Sequence, residues 1–405
     1  MARLLVAQSG GPTAAINATV AGVIQAAWTY DRNLQILGAV NGIQGVFEEH
    51  FIDINEKIRN AADLALLCHT PSAALGSCRL KIKKREQLEQ IVSILRKHEI
   101  KYFIYIGGND SMDTVYQLSK YCEEQGIKDL FVMGAPKTID NDLIGTDHCP
   151  GFGSAAKYIA TSVAEVERDA FAYTVQAVTI IEIMGRNAGW LTAASALARI
   201  NGGAGPDLIY LCEVPFEIEE FLSQIRMIHK RKPNVIVAIS EGIKDRDGKY
   251  ISEYGAAQGM PVDSFGHAAI AGSAKYLENV VKEQIGCKVR SLELSLLQRC
   301  AAHIASGNDI SESRMLGMKA CQCALDGMSG RMASLTRTCN DPYSVAYDTV
   351  DLSQVANLEK KVPLEWITAD GHDVTQEMID YLLPLIQGVT PIQYENGVPK
   401  HIVLY

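Results

Sequence analysis

The chain has 405 residues, 47% of them hydrophobic and 21% charged, with a formal charge of −9. That length supports two compact domains with hydrophobic cores, and so acidic a chain is not a general nucleic-acid binder. No run approaches the roughly 20 apolar residues that span a bilayer, the start MARLLVAQSGG lacks a signal-peptide pattern, and ten scattered cysteines without C-x-x-C spacing read as reduced thiols in the cytoplasm, with no zinc site or disulfide.

Short apolar runs alternate with helical patterns. Arg3 to Gln8 reads as a buried strand and Ala14 to Tyr30 as a helix. Strand Tyr102 to Ile106 leads into helix Ser111 to Gln125. Strand Leu130 to Ala135 leads into a loop, Pro136 to Gly145, and then helix Ser154 to Arg168. Strand Val175 to Met184 is followed by helix Ala188 to Ile200, strand Asp207 to Glu213 by helix Glu217 to Lys230, and strand Val235 to Ser240 by a long helix, Gly266 to Ile285. Lys288 to Leu294 is a further strand. Beyond about residue 341 the pattern weakens, with one helix, Thr375 to Leu383, stopping before Pro384, and a loop with a short strand over Thr390 to Tyr405. Alternating strands and helices imply an α/β fold with parallel-type sheets covered by helices on both faces. Such sheets bind ligands beyond the carboxyl ends of their strands.

Six polar turns sit at those strand ends. Ser9-Gly10-Gly11-Pro12-Thr13 and Gly107-Gly108-Asn109-Asp110-Ser111 each join a strand to a helix, where bare glycines admit phosphate oxygens to backbone amides. A plain tight turn, or a helix capped by Asn109 or Asp110, explains either one alone. Pro136-Lys137-Thr138-Ile139-Asp140-Asn141-Asp142 is denser in function. Asp140 and Asp142 point the same way in extended chain, one suited to taking a hydroxyl proton and the other to magnesium, with Lys137 as a point charge for phosphate. Met184-Gly185-Arg186 and Ser240-Glu241-Gly242 follow, then Arg290 with Gln298 and Arg299; paired arginines suit a sugar phosphate, while each alone reads as a structural ion pair. Arg79 follows a small-residue turn, and the nearby Lys81, Lys83 and Lys84 also read as a solvated face.

In this order, SGGPT, GGNDS, PKTIDND, MGRNAGW, SEG and LLQR resemble the phosphofructokinase family over about residues 3 to 340. The resemblance implies a phosphofructokinase-like fold of two domains with the active site in the cleft between them. The phosphoryl-donor domain would take residues 1–151 and about 298–345, the sugar-phosphate domain 152–297, and a carboxyl-terminal extension 346–405. It also implies a homodimer or homotetramer in which a neighbouring subunit helps to hold fructose 6-phosphate. Asp140 matches the family's general base toward the sugar 1-hydroxyl. Thr138, Asp142, Met184, Gly185, Arg186, Glu241, Arg290 and Arg299 match acceptor-side positions, and Gly11, Arg79 and Gly108 donor-side ones. Mg2+ is the implied cofactor, at Asp110 and Asp142.

ATP-dependent members carry glycines at the places of Asp110 and Lys137, whereas the pyrophosphate-dependent type carries Asp and Lys, as here. Asp110 puts bulk and charge where the α-phosphate of ATP would lie, and Lys137 restores positive charge and stabilises the transferring group. The resemblance therefore implies reversible transfer from pyrophosphate to fructose 6-phosphate. An ATP-dependent 6-phosphofructokinase and a non-catalytic sugar-phosphate-sensing subunit are the competing readings. Asn109 stands where the family motif has Asp, Leu296 where His or Tyr meets the sugar phosphate, and Ser295, Cys300 and Ala301 where glycines stand. Those departures keep sedoheptulose 7-phosphate open as an acceptor and leave Asp140 and Arg186 in place.

Overall fold

The run Arg3–Gln8 (β1) is buried at every position after Arg3, as a strand covered on both faces must be. The computed structural model describes residues 2–255, 272–355 and 358–405. In it, β1 is an inner strand of a seven-stranded sheet with Gln35–Ala39 (β2), Phe51–Asp53 (β3), Ile100–Gly107 (β4) and Phe131–Pro136 (β5). A second sheet holds Ala177–Ile183 (β6), Leu208–Tyr210 (β7), Asn234–Ser240 (β8) and Lys288–Glu293 (β9). Arg331–Asn340 (β10) and Tyr343–Asp351 (β11) return to the first.

The first sheet runs β11-β10-β5-β4-β1-β2-β3, its five inner strands parallel and its two edges antiparallel. The antiparallel edges depart from the parallel expectation for a simple reason. A parallel neighbour needs a crossover of about a dozen residues or more; β10 and β11 are joined by a tight turn, and the β2–β3 connection is at the short end of that range. Leu4 and Val6 of β1 pack under helices Ile16–Tyr30 and Gly307–Leu325, and Leu5 and Ala7 under helices Arg85–Lys97 and Asn109–Glu124. Leu4, Leu5 and Val6 each contribute roughly 1.5–3 kcal/mol on burial. The second sheet, β7-β8-β6-β9, is parallel throughout.

In the first sheet β1 leads to β2 on one side and has β4 on the other, so the crevice beyond its carboxyl end lies at a switch point. The neighbours β5, β4 and β1 set the Lys137–Asp142, Gly107–Asp110 and Ser9–Thr13 turns side by side. In the second sheet β8, β6 and β9 do the same for Glu241, Met184–Arg186 and the segment leading to Arg299.

Some elements are shorter than the sequence pattern implies. The stretch expected as helix Ala188 to Ile200 splits into an α-turn, Trp190–Ala193, and a 3-10 helix, Ala194–Arg199. There Ser195 Oγ donates to the Thr192 carbonyl at 2.6 Å, competing with the α-helical ladder. The strand expected to run to Glu213 ends at Tyr210. The long helix is described as Ser273–Ile285; its expected start, 266–271, lies outside the described residues. Helix Gly307–Leu325, capped by Ser306, and the β10–β11 hairpin have no counterpart in the sequence reading.

The boundary expected at 345/346 falls inside β11, which pairs with β10 to Asp351. From Val362 to Leu385 the chain packs on the second sheet's core, and Leu404 returns to the first. Among the described residues no helix is long and apolar enough to cross a membrane.

Candidate active site

The turn after β1 is shaped by its glycines. Gly10 has φ +76°, and a Cβ there would lie 3.2 Å from Lys137 Nζ; one on Gly11 would lie 3.1 Å from Arg299 Nη1. Bare backbone, the ammonium and the guanidinium therefore converge. Ser77 Oγ donates to the Gly10 carbonyl at 2.6 Å, and the Gly10 amide donates to Cys78 O at 3.1 Å, so the segment before Arg79 braces this turn. Thr13 Oγ1 accepts from the Ala15 and Ile16 amides and starts the following helix.

Lys137 is 2% exposed and donates from Nζ to the Gly11 carbonyl at 2.7 Å. Burial pushes its ammonium down to about 8; Arg299 and Arg79 push the same way, while Asp140 and Asp142 oppose them. The Asp140 amide donates to Thr138 Oγ1 at 3.1 Å. Burial raises the Asp140 carboxyl above its ordinary range, against the pull of Lys137, Arg186 and Arg299. Asp142 is pushed up to about 7 by burial, then by Asp140 and Glu359.

Neither Asn109 nor Asp110 caps the helix that begins there. Asp110 pairs with Lys81 at 3.1 Å, so that lysine is more than a solvated face. The side chain that reaches Asp142 is Asn109, whose Nδ2 donates to Asp142 Oδ2 at 3.0 Å. The remaining oxygens of that pair, Asn109 Oδ1 and Asp142 Oδ1, are buried acceptors without a donor among the described residues. Two orphaned acceptors on hydrogen-bonded neighbours suit a hard cation. Among the described residues no group of three or more His, Cys, Asp or Glu is arranged to hold a metal.

Across the crevice, Gly185 has φ +134°. Its amide donates to Glu241 Oε1 at 3.3 Å and its carbonyl accepts from Ser240 Oγ at 2.6 Å. The Met184 amide donates to the buried Gln298 at 3.2 Å. A Cβ on Gly242 would lie 1.9 Å from the Arg186 carbonyl, so the Glu241 turn can press on the Arg186 turn only because residue 242 is glycine. Arg186 Nε is buried with no acceptor among the described residues. Glu241 is pushed up to about 7, by burial first and by Asp140 second.

The structure thus brings Gly11, Lys137, Asp140, Asp142, Arg186, Glu241 and Arg299 together from both sheets, with Thr138, Met184 and Gly185 on the same turns. Gly108 faces Lys137 and Thr138, and Arg79 lies close enough to act electrostatically on Lys137 and Arg299. Arg290 is apart: it lies on the exposed face of edge strand β9, 3.6 Å from Asp169. Two nearby residues had no signal in the sequence. Glu359 bridges to Leu143, and Tyr381 bonds Asn141; both come from a tail without motifs, more than 200 positions downstream.

A family model described as phosphofructokinase matches residues 3–324. A pyrophosphate–fructose 6-phosphate 1-phosphotransferase of Xanthomonas campestris pv. campestris is 43% identical over 99% of this chain and 96% of its own. One of Methylococcus capsulatus is 40% identical over 98% and 94%. The crystal structure of a pyrophosphate-dependent phosphofructokinase from Marinobacter aquaeolei superposes with a TM-score of 0.88 at 37% identity, covering 99% of this chain and 96% of that one.

Proposed function

The chain belongs to the phosphofructokinase family, and from that premise we propose that it transfers a phosphoryl group reversibly from pyrophosphate to the 1-hydroxyl of fructose 6-phosphate, giving fructose 1,6-bisphosphate. The observation that carries the donor choice is the buried Lys137 ammonium against Gly10 and Gly11. A compact polyanion gains from that concentrated charge, while Asp110 opposes a longer donor. The full-length relatives carry the same activity in their names.

The donor side is built on the seven-stranded sheet and the acceptor side on the four-stranded one. Asp140 takes the proton of the 1-hydroxyl as its oxygen bonds to the distal phosphorus and the bridging P–O bond breaks, releasing phosphate. Burial makes Asp140 a stronger base, and Lys137, Arg186 and Arg299 keep it ionised until then. General-base help of this kind supplies about 10²–10⁴-fold, and positioning with charge neutralisation supplies most of the rest. Asp142 and Asn109, rather than Asp142 and Asp110, would hold Mg2+, which neutralises charge on the phosphates when bound. Arg186 and Arg299 face the sugar phosphate, and Glu241 its hydroxyls. Arg290, on an exposed edge strand, would serve the site of a second copy in a homo-oligomer.

The test is fructose 1,6-bisphosphate formation by the purified protein with Mg2+ and either pyrophosphate or ATP as sole donor. We expect turnover with pyrophosphate only, and pyrophosphate formation in the reverse direction. Turnover with ATP alone overturns the donor assignment; turnover with neither, for fructose 6-phosphate or sedoheptulose 7-phosphate, overturns catalysis.

A further inference from the structure

Asn141 separates Asp140 from Asp142, is fully buried and sits in the left-handed region at φ +55°. An L-residue holds that conformation only with support. Its Oδ1 accepts from the Cys149 amide at 3.0 Å, and its Nδ2 donates to the Tyr381 hydroxyl at 2.9 Å. The same hydroxyl donates to the Asp147 carbonyl at 2.8 Å. One phenol thus closes the two ends of the 141–149 loop on each other.

A second tail residue grips the same loop. The Lys360 amide donates to the Asp142 carbonyl at 2.7 Å, and its ammonium to the Asp147 carbonyl at 2.5 Å. The Lys360 carbonyl accepts from Trp190 Nε1 at 3.0 Å, and Glu359 accepts from Asn187 at 2.9 Å. Asn187 and Trp190 belong to the turn that carries Arg186. The tail is itself well anchored. The Tyr381 ring packs against Trp190 and Trp366, with centroids 5.2 and 5.4 Å away. Arg337 lies over its face and donates to its carbonyl at 3.0 Å. Behind Asp147, His148 is clamped between Asp147 and Glu312 at 2.8 and 2.7 Å.

We propose that the Tyr381 hydroxyl and the Lys360 ammonium are positioning groups that hold the Asp140–Asp142 loop in register with the Arg186 turn, to which the Lys360 carbonyl and Glu359 tie the same stretch of tail. The proposal rests on the functional reading above and deepens it, since a base on one unit and an anion-binding arginine on the other must keep register for in-line transfer. In this proposal neither side chain contacts the substrates. They act through the Asn141 amide and the Asp147 carbonyl, and displacing reacting groups by about 1 Å costs up to 10²-fold in rate.

Full-length Tyr381→Phe, Lys360→Met and Lys360→Arg would be compared with the unaltered protein in steady-state kinetics, thermal unfolding and amide hydrogen exchange over residues 140–149. Phe keeps the ring contacts and removes only the hydroxyl. We expect kcat to fall about 10- to 100-fold in Tyr381→Phe and Lys360→Met, with both KM values nearly unchanged and faster exchange confined to this loop. Lys360→Arg, which still donates, recovers much of kcat. Unchanged kcat and exchange in Tyr381→Phe, or losses that track global unfolding with exchange faster everywhere, would overturn the proposal. If the unaltered protein transfers nothing from pyrophosphate, the functional reading fails, and the exchange data still decide whether Tyr381 and Lys360 hold the loop.

Discussion

Replacing Lys137 by Met separates what the site needs from what the fold needs. Lys137 is buried, and its ammonium falls from an ordinary value of 10.5 to about 8. Keeping it charged at pH 7 therefore costs the free protein roughly 3 kcal/mol. Met fills similar volume without charge but leaves the Gly11 carbonyl without its donor, a loss of about 1–3 kcal/mol. The variant should be as stable as the parent or more so by up to about 2 kcal/mol, while kcat with pyrophosphate falls on the order of 10²–10³-fold as a preorganised cation is lost. The pH dependence has a definite sign. The folded value lies below the unfolded one, so the penalty is present in full below about pH 8 and fades as pH rises toward 10.5. The Met variant's stability advantage should shrink over that window, and kcat/KM for pyrophosphate of the parent should decline above pH 8. Calorimetry across pH 6–10 beside a coupled fructose 1,6-bisphosphate assay measures all three. A Met variant that keeps near-parental turnover, or melts several degrees lower at pH 7, refutes the reasoning.

Two further substitutions probe the opposite wall and the base. Asp140→Asn should cut kcat by at least about 10²–10⁴-fold with little change in KM and no loss of melting temperature, because burial already disfavours the charge it removes; near-normal turnover would move the base elsewhere. Gly242→Ala puts a methyl 1.9 Å from the Arg186 carbonyl, backbone that must shift, so KM for fructose 6-phosphate should rise at least about tenfold with the KM for pyrophosphate little affected, and equal effects on both would argue against Arg186 facing the sugar.

The amino-acid sequence alone determined the local chemistry. Buried runs such as Arg3–Gln8 become strands because their side chains are apolar on both faces, and the glycines and charges after them mark turns whose function is written in a few adjacent residues. The motif Lys137 to Asp142 needed no neighbours to be read. Tertiary structure decided everything that depends on which distant segments meet. Strands β5, β4 and β1 are far apart in the chain and adjacent in the sheet, and that adjacency sets Lys137 against Gly11. Asn109, not Asp110, reaches Asp142, and Asp110 in the same first helical turn pairs with Lys81 on a separate loop. Glu359, Lys360 and Tyr381 carry no motif, since a hydrogen bond to a backbone carbonyl or a buried amide asks nothing of their sequence neighbours. Arg290 looked like a partner of Arg299 by sequence proximity, yet nine positions of strand and turn carry it to another face. Local side-chain chemistry is read along the chain; register across a cleft is set only by the packing that closes it.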